Sequence, residues 1–239
     1  MSKATGNPLA KSAALISSGV TIPQLRAKGL LPESGDGIAN GISVKEAVLP
    51  WNRFRRIDGT GVDSVLGPEM RSTGEVMGIA TTFGEAYAKS QSAAFGALPL
   101  EGSVFLSLSE RDKASALTPA KELVDLGFIL YTTQGTHDFL TRSGIASKVV
   151  RKHSQGRGSA GEPTAVDLIT EGTVGLVINT PLGRGTRQDG WMIRTAAIQR
   201  SVPCITTIAG FKAAVAGIRE LQAKPFGINS IQEWLAINE

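Results

Sequence analysis

Cysteine is almost missing from this 239-residue chain: Cys204 stands alone, which excludes an internal disulfide framework and a cysteine-based zinc site. Histidine is nearly as scarce. His137 and His153 are the only two, and a lone histidine beside a helix is ordinarily structural or exposed, so neither receives a catalytic role. With two tyrosines and three tryptophans, the interleaved aromatics of a nucleic-acid surface are lacking. No run approaches the ~20 consecutive apolar residues of a membrane span. The opening residues, Met1 to Gly6, hold no apolar signal-peptide core. These absences describe a soluble, cytoplasmic protein with no membrane and no nucleic-acid partner.

Charge is also modest, at 19% charged residues and a net +4. A small positive excess permits an anionic partner, and a nucleotide or phosphate metabolite needs far fewer cations than nucleic acid. The densest basic cluster is Lys148, Arg151, Lys152, His153 and Arg157, most of which reads as a solvated face. Familiar phosphate fingerprints are absent. Gly183-Arg184-Gly185 lacks the spacing and the strand-then-helix setting of a dinucleotide motif, and no Walker-type run ends in Gly-Lys-Ser/Thr. No pair of carboxylates is placed for acid–base work.

What is present divides near residue 97. The first part reads as a helix over 6–18, capped by Asn7 with Pro8 in first position, and a shorter helical turn over 21–28. A strand over 43–50 follows, then turns and short extended pieces over 51–80, and an amphipathic helix over 82–95. After Pro99 strands and helices alternate. Strands are predicted at 104–106, 128–130, 149–150, 174–178 and 203–206, and helices at 119–126, 136–142, 164–171, 189–200 and 211–221. A closing helical turn falls at 232–237. Thr118 caps the first of these helices, with Pro119 in its first turn. Short, nearly continuous apolar strands alternating with helices predict an α/β fold with a doubly wound, mostly parallel sheet buried on both faces.

Such sheets bind ligands outside the carboxyl ends of their strands. Past the first strand come Ser107 and Lys113; past the second, Thr132-Thr133-Gln134-Gly135-Thr136 leads directly into a helix. Lys152 follows the third strand and Asn179 the fourth. These four turns are expected side by side along one edge. Hydroxyls, an amide, two lysines and a helix N-terminus together suit a phosphate group, and Gly135 allows close backbone approach. Taken singly, the threonines read equally well as helix caps, and each lysine as an ordinary surface residue. Asp189 is either a helix cap or a contact to ligand hydroxyls or base. Cys204 reads as a packed thiol in an apolar strand.

The run Leu66-Gly67-Pro68-Glu69-Met70-Arg71-Ser72-Thr73-Gly74-Glu75-Val76-Met77-Gly78 resembles a signature of carbamoyl-phosphate synthase large subunits. So do Ser2-Lys3-Ala4-Thr5-Gly6 with Pro8-Leu9-Ala10, Ser43-Val44-Lys45-Glu46 through Pro50, Thr132 to Thr136, and Ile178-Asn179-Thr180-Pro181 to Thr207. The resemblance covers essentially the whole chain, in order. It implies that residues 1–97 are the tail of the carbamoyl-phosphate synthesis domain, an incomplete ATP-grasp unit. Residues 98–239 are then a methylglyoxal synthase-like (MGS-like, Rossmann-like) allosteric domain.

By the same resemblance the chain is part of a glutamine-hydrolysing ligase serving pyrimidine and arginine biosynthesis. It carries no catalytic residues, metal or cofactor of its own; Mg-ATP belongs to the complete enzyme. The implied partners are a nucleotide effector (UMP, in some members IMP), the rest of the large subunit, the glutaminase small subunit, and further copies of the chain. The phosphate would be held by Ser107, Lys113, Thr133, Thr136, Lys152 and Asn179, with Asp189, Met192 and Ile193 nearer the nucleoside. Pro181 stands where some relatives have a hydroxyl residue. Glu46 and Thr206 match an ornithine site whose tyrosine is replaced here by Cys204. A methylglyoxal synthase-like lyase is the competing expectation from the shared fold.

Overall fold

The computed structural model describes residues 1–35, 41–51, 65, 72, 74–180 and 188–236. Three short helices open the chain: α1 (Ser2–Thr5), α2 (Leu9–Ser17) and α3 (Ile22–Ala27). The helix expected over 6–18 is therefore shorter, and a separate one precedes it. Gly6, at φ 72°, ends α1 in the left-handed region. Pro8 stands outside α2 with ψ 65°, and the Leu9 N–H is shared between the Asn7 carbonyl at 2.8 Å and Ser2 Oγ at 3.1 Å.

Strands β1 (Ile42–Val48) and β2 (Gly74–Ala80) form an antiparallel pair, with Ile42 opposite Ala80 and Val48 opposite Gly74. The second strand replaces the short extended pieces expected up to Ala80. Most of the 51–80 segment, including Leu66 to Arg71 of the signature run, lies outside the described residues. Helix α4 (Phe83–Ala94), capped by Thr82 Oγ1 on Glu85 N–H, lies directly on β2. A Cβ at Gly78 would fall 1.9 Å from the Ala86 carbonyl oxygen, so only glycine permits this approach.

The remaining elements build the α/β layer: β3 (Ser103–Ser107), α5 (Lys113–Asp125), β4 (Ile129–Thr132), α6 (Gln134–Arg142) and β5 (Lys148–Val149). They continue with α7 (Ala165–Thr170), β6 (Leu176–Asn179), α8 (Gln188–Gln199), β7 (Cys204–Ile205), α9 (Ile208–Ala223) and α10 (Ile231–Ala236). The five strands pair in parallel in the order β5-β4-β3-β6-β7. The sheet is buried on both sides because its strands alternate between two apolar cores. Val104, Leu106, Leu176 and Ile178 face Ala116, Leu123, Leu140 and Phe211 of α5, α6 and α9. Phe105 and Val177 face Leu168, Ile169, Ile193 and Ala197 of α7 and α8.

Among the helices of this layer, α5 departs most from expectation. Instead of starting at Pro119 with Thr118 as its cap, α5 begins at Lys113 out of a 3-10 turn at Glu110–Asp112, leaving Pro119 inside the helix. Proline there removes one backbone bond, ordinarily a severe penalty. The helix continues because Ala116, Pro119, Ala120 and Leu123 bury one stripe against the sheet.

The hairpin layer is joined to the sheet layer through α4 and α9. A Cβ at Gly84 would lie 2.6 Å from the Ala216 carbonyl, and one at Gly217 would lie 3.2 Å from Ala88 Cβ. Ala88 and Leu98 belong to the same core as the sheet strands. No helix among the described residues is long and apolar enough to cross a membrane.

Candidate functional site

The strand order makes β5, β4, β3 and β6 neighbours, so the segments leaving them open onto one edge of the sheet. A cleft of about 360 Å³ lies there, within the usual ~300–1,000 Å³ of small-molecule sites. Ser107, Lys113, Thr133, Thr136, Lys152 and Asn179 all line it, together with Asp189 and Ile193. Met192 is half-buried beside Ile193 on α8 and is not among the lining residues.

Lys113 is the first residue of α5, and its side chain is only 11% exposed. Its ammonium pairs with Glu110 Oε2 at 2.6 Å and lies 5.9 Å from the Phe139 ring centre. It also sits 3.7 Å from where a Cβ on Gly135 would be, in the first turn of α6. The ammonium thus faces the N-terminal end of α6 from the N-terminal end of α5. Helix starts carry partial positive charge, so a cation there is disfavoured until an anion joins it. Glu110 supplies one counter-charge, from a side chain that is 83% exposed.

The hydroxyls are tied into the backbone of the first strand exit. Thr136 Oγ1 accepts from the Leu108 N–H at 3.1 Å and from Thr133 Oγ1 at 3.3 Å. Thr180 Oγ1 accepts from the Ser109 N–H at 2.9 Å, and Ser109 Oγ donates to Asp112 at 2.5 Å. Burial raises the Asp112 carboxyl, but hydrogen bonds from Ser109 and Thr180 and the charge of Arg111 outweigh it and hold it below its ordinary value. Thr133 occupies the N-cap position of α6, but its hydroxyl donates to Thr136 and accepts from no helix N–H, while Thr136 braces the next loop and lines the cleft.

Asp189 is committed to protein. Its carboxylate accepts the Ser154 N–H at 2.8 Å and the Ser154 hydroxyl at 3.0 Å, tying α8 to the turn after exposed Lys152. Pro181 and Gly183-Arg184-Gly185 lie outside the described residues.

Four polar cleft residues received no role from sequence: Ser109, Glu110, Thr180 and Arg194. Arg194 had a signal, being four residues past Gly190 on a helix whose neighbouring positions are otherwise apolar or small. It is 4% exposed and donates to Asn179 Oδ1 at 2.6 Å. Away from the cleft, Glu46 accepts from Ser90 Oγ at 3.0 Å and from Gln91 Nε2. Burial lifts its carboxyl above the ordinary value, and those two bonds moderate the lift. Thr206 follows β7, next to the half-buried Cys204. No group of three or more potential metal ligands occurs among the described residues.

By chemistry the cleft is a set of donors and cations around a helix start, with its two carboxylates already engaged. A parallel five-stranded α/β layer with a polar cleft at its strand exits is the class defined, and residues 115–206 match the MGS-like domain family. Nearly the whole chain is also similar to carbamoyl phosphate synthase large chains. That of Streptomyces avermitilis is 58% identical over 236 residues, 97% of this chain and 21% of the relative. Those of Streptomyces coelicolor (57%) and Mycobacterium tuberculosis (53%) each align with 98% of this chain. The chain belongs with these large chains and spans about a fifth of the length of the curated relatives it matches.

Proposed function

We propose that the chain is the regulatory C-terminal portion of a carbamoyl phosphate synthase large chain, holding a nucleoside monophosphate such as UMP by its phosphate. The observation that carries this reading is the placement of Lys113 between two helix starts, with Thr133, Thr136, Lys152 and Asn179 around the same cleft. A dianion relieves the local excess of positive charge and competes with the exposed Glu110 for the Lys113 ammonium. The effector then acts by preferring one conformation of the complete enzyme over another.

On this reading residues 1–97 end the ATP-grasp synthesis unit and residues 98–239 form the allosteric domain. Mg-ATP, the glutaminase subunit and the rest of the large chain belong to the assembled cytoplasmic enzyme, which also self-associates. IMP is the alternative nucleotide for the same cleft.

Calorimetric titration with UMP, IMP and inorganic phosphate tests the proposal. UMP binding that weakens by about one to two decades in Lys152→Ala supports it, the loss matching one hydrogen bond to a charged group. Unchanged UMP binding after both Lys113 and Lys152 are replaced would refute it. A lyase of methylglyoxal synthase type draws support from Glu110 and Asp189 at the cleft, but Lys113 and Ser154 hold those carboxylates. Consumption of dihydroxyacetone phosphate by the purified chain would favour the lyase.

A further inference from the structure

Asn179 ends β6 opposite Ser107 in the parallel register, so its side chain leaves the sheet at the floor of the cleft. An amide is useful to an anion only when its NH2 group, not its oxygen, is turned toward it. The backbone does not set this choice, since the two ends of the amide have nearly the same shape.

Arg194 sets it. A guanidinium has donors and no acceptor, so only Oδ1 of Asn179 can face it, and the two meet at 2.6 Å with both residues 4% exposed. The opposite Nδ2 makes one long contact, 3.5 Å to the Ser107 carbonyl, which already accepts the Thr180 N–H at 3.1 Å. One amide hydrogen is left without a partner among the described residues, on a side chain that lines the cleft. Gly190 leaves room beside this pair. A Cβ there would fall 3.0 Å from the Arg194 guanidinium and 3.5 Å from Asn179 Oδ1.

Resting on the anion-binding reading above, we infer that Arg194 is a positioning residue of the cleft: it holds the Asn179 amide with its N–H groups toward the ligand. Gly190 keeps open the space in which the guanidinium lies. Arg194 acts through Asn179 and not as a further charge on the anion.

A double-mutant cycle on the full 239-residue chain, titrated with inorganic phosphate and with UMP, separates these roles. Arg194→Gln places an amide that can donate or accept, so Asn179 is free to turn over. Affinity for both ligands falls about tenfold. In an Asn179→Ala background the same substitution changes affinity by less than about twofold, because the group it positions is gone. Arg194→Lys, again donor-only, stays within about threefold of the unaltered chain.

Additive losses in the cycle would overturn the inference, since they mean that the guanidinium meets the anion directly. If Arg194→Gln fails to fold, Asn179→Asp decides. It pairs with Arg194 and keeps the melting temperature, yet presents oxygen where the ligand needs N–H, so binding is lost; retained affinity would refute the role. Failure of the unaltered chain to bind either ligand overturns the anion site itself, and this role with it.

Discussion

Replacing Lys113 with methionine separates binding from stability. The substitution keeps the aliphatic stem that packs near Phe139 and deletes the ammonium. The unbound protein loses an ion pair with a partner that is 83% exposed, a contribution of at most about 1 kcal/mol. It also loses a cation at the starts of two helices, an unfavourable placement by about 0.3–1 kcal/mol. The two effects nearly cancel, so the chain should melt within a few degrees of the original. The bound state loses a charge-assisted hydrogen bond worth about 1.5–3 kcal/mol, which weakens UMP and phosphate by about ten- to a hundredfold. Calorimetry and a thermal melt on the same preparation read both quantities. Undiminished binding would refute the assignment. A loss of more than about 2 kcal/mol in stability would instead make Lys113 a structural residue, beyond what a pair with an exposed glutamate supplies.

Three further outcomes follow from the same geometry. Gly135→Ala meets nothing closer than the Lys113 ammonium at 3.7 Å, so stability holds or rises by up to about 1 kcal/mol, while UMP titration shows weaker binding because the methyl enters the ligand's space. Glu110→Gln frees Lys113 from its internal counter-charge and raises phosphate affinity by up to about fivefold, the range of an exposed pair; an unchanged or lower affinity would show that the pair does not compete with the ligand. Gly78→Ala drives a methyl to 1.9 Å from the Ala86 carbonyl and 2.8 Å from the Ser90 nitrogen. It should cost about 3 kcal/mol or more in chemical denaturation, since overpacking against a backbone cannot be relieved by a rotamer change.

The parallel layer was readable because Val104-Phe105-Leu106 and Leu176-Val177-Ile178 leave no polar position for a solvent face, which forces helices onto both sides. The cleft was readable for a related reason: once strands alternate with helices, residues just past each strand must meet at one edge, and six chosen that way line one cavity. What escaped was tertiary. Pro119 signals a helix start by every local rule, and only the buried stripe of α5 carries the helix through it. Asp189 read as either a helix cap or a ligand contact, and neither reading could name Ser154, far away in sequence, which donates to both of its oxygens. Arg194 was passed over because nothing in a helix sequence says which flanking amide its guanidinium will reach.

Helices α4 and α9 meet through glycine and alanine positions where a main chain of one touches the other without intervening side chains. Such an interlock has no compressible layer, so neither helix can slide by a fraction of a turn without collision. A polypeptide nicked near residue 97 should stay together as a non-covalent pair through purification. Any displacement of α9 must carry the hairpin along as one solid piece.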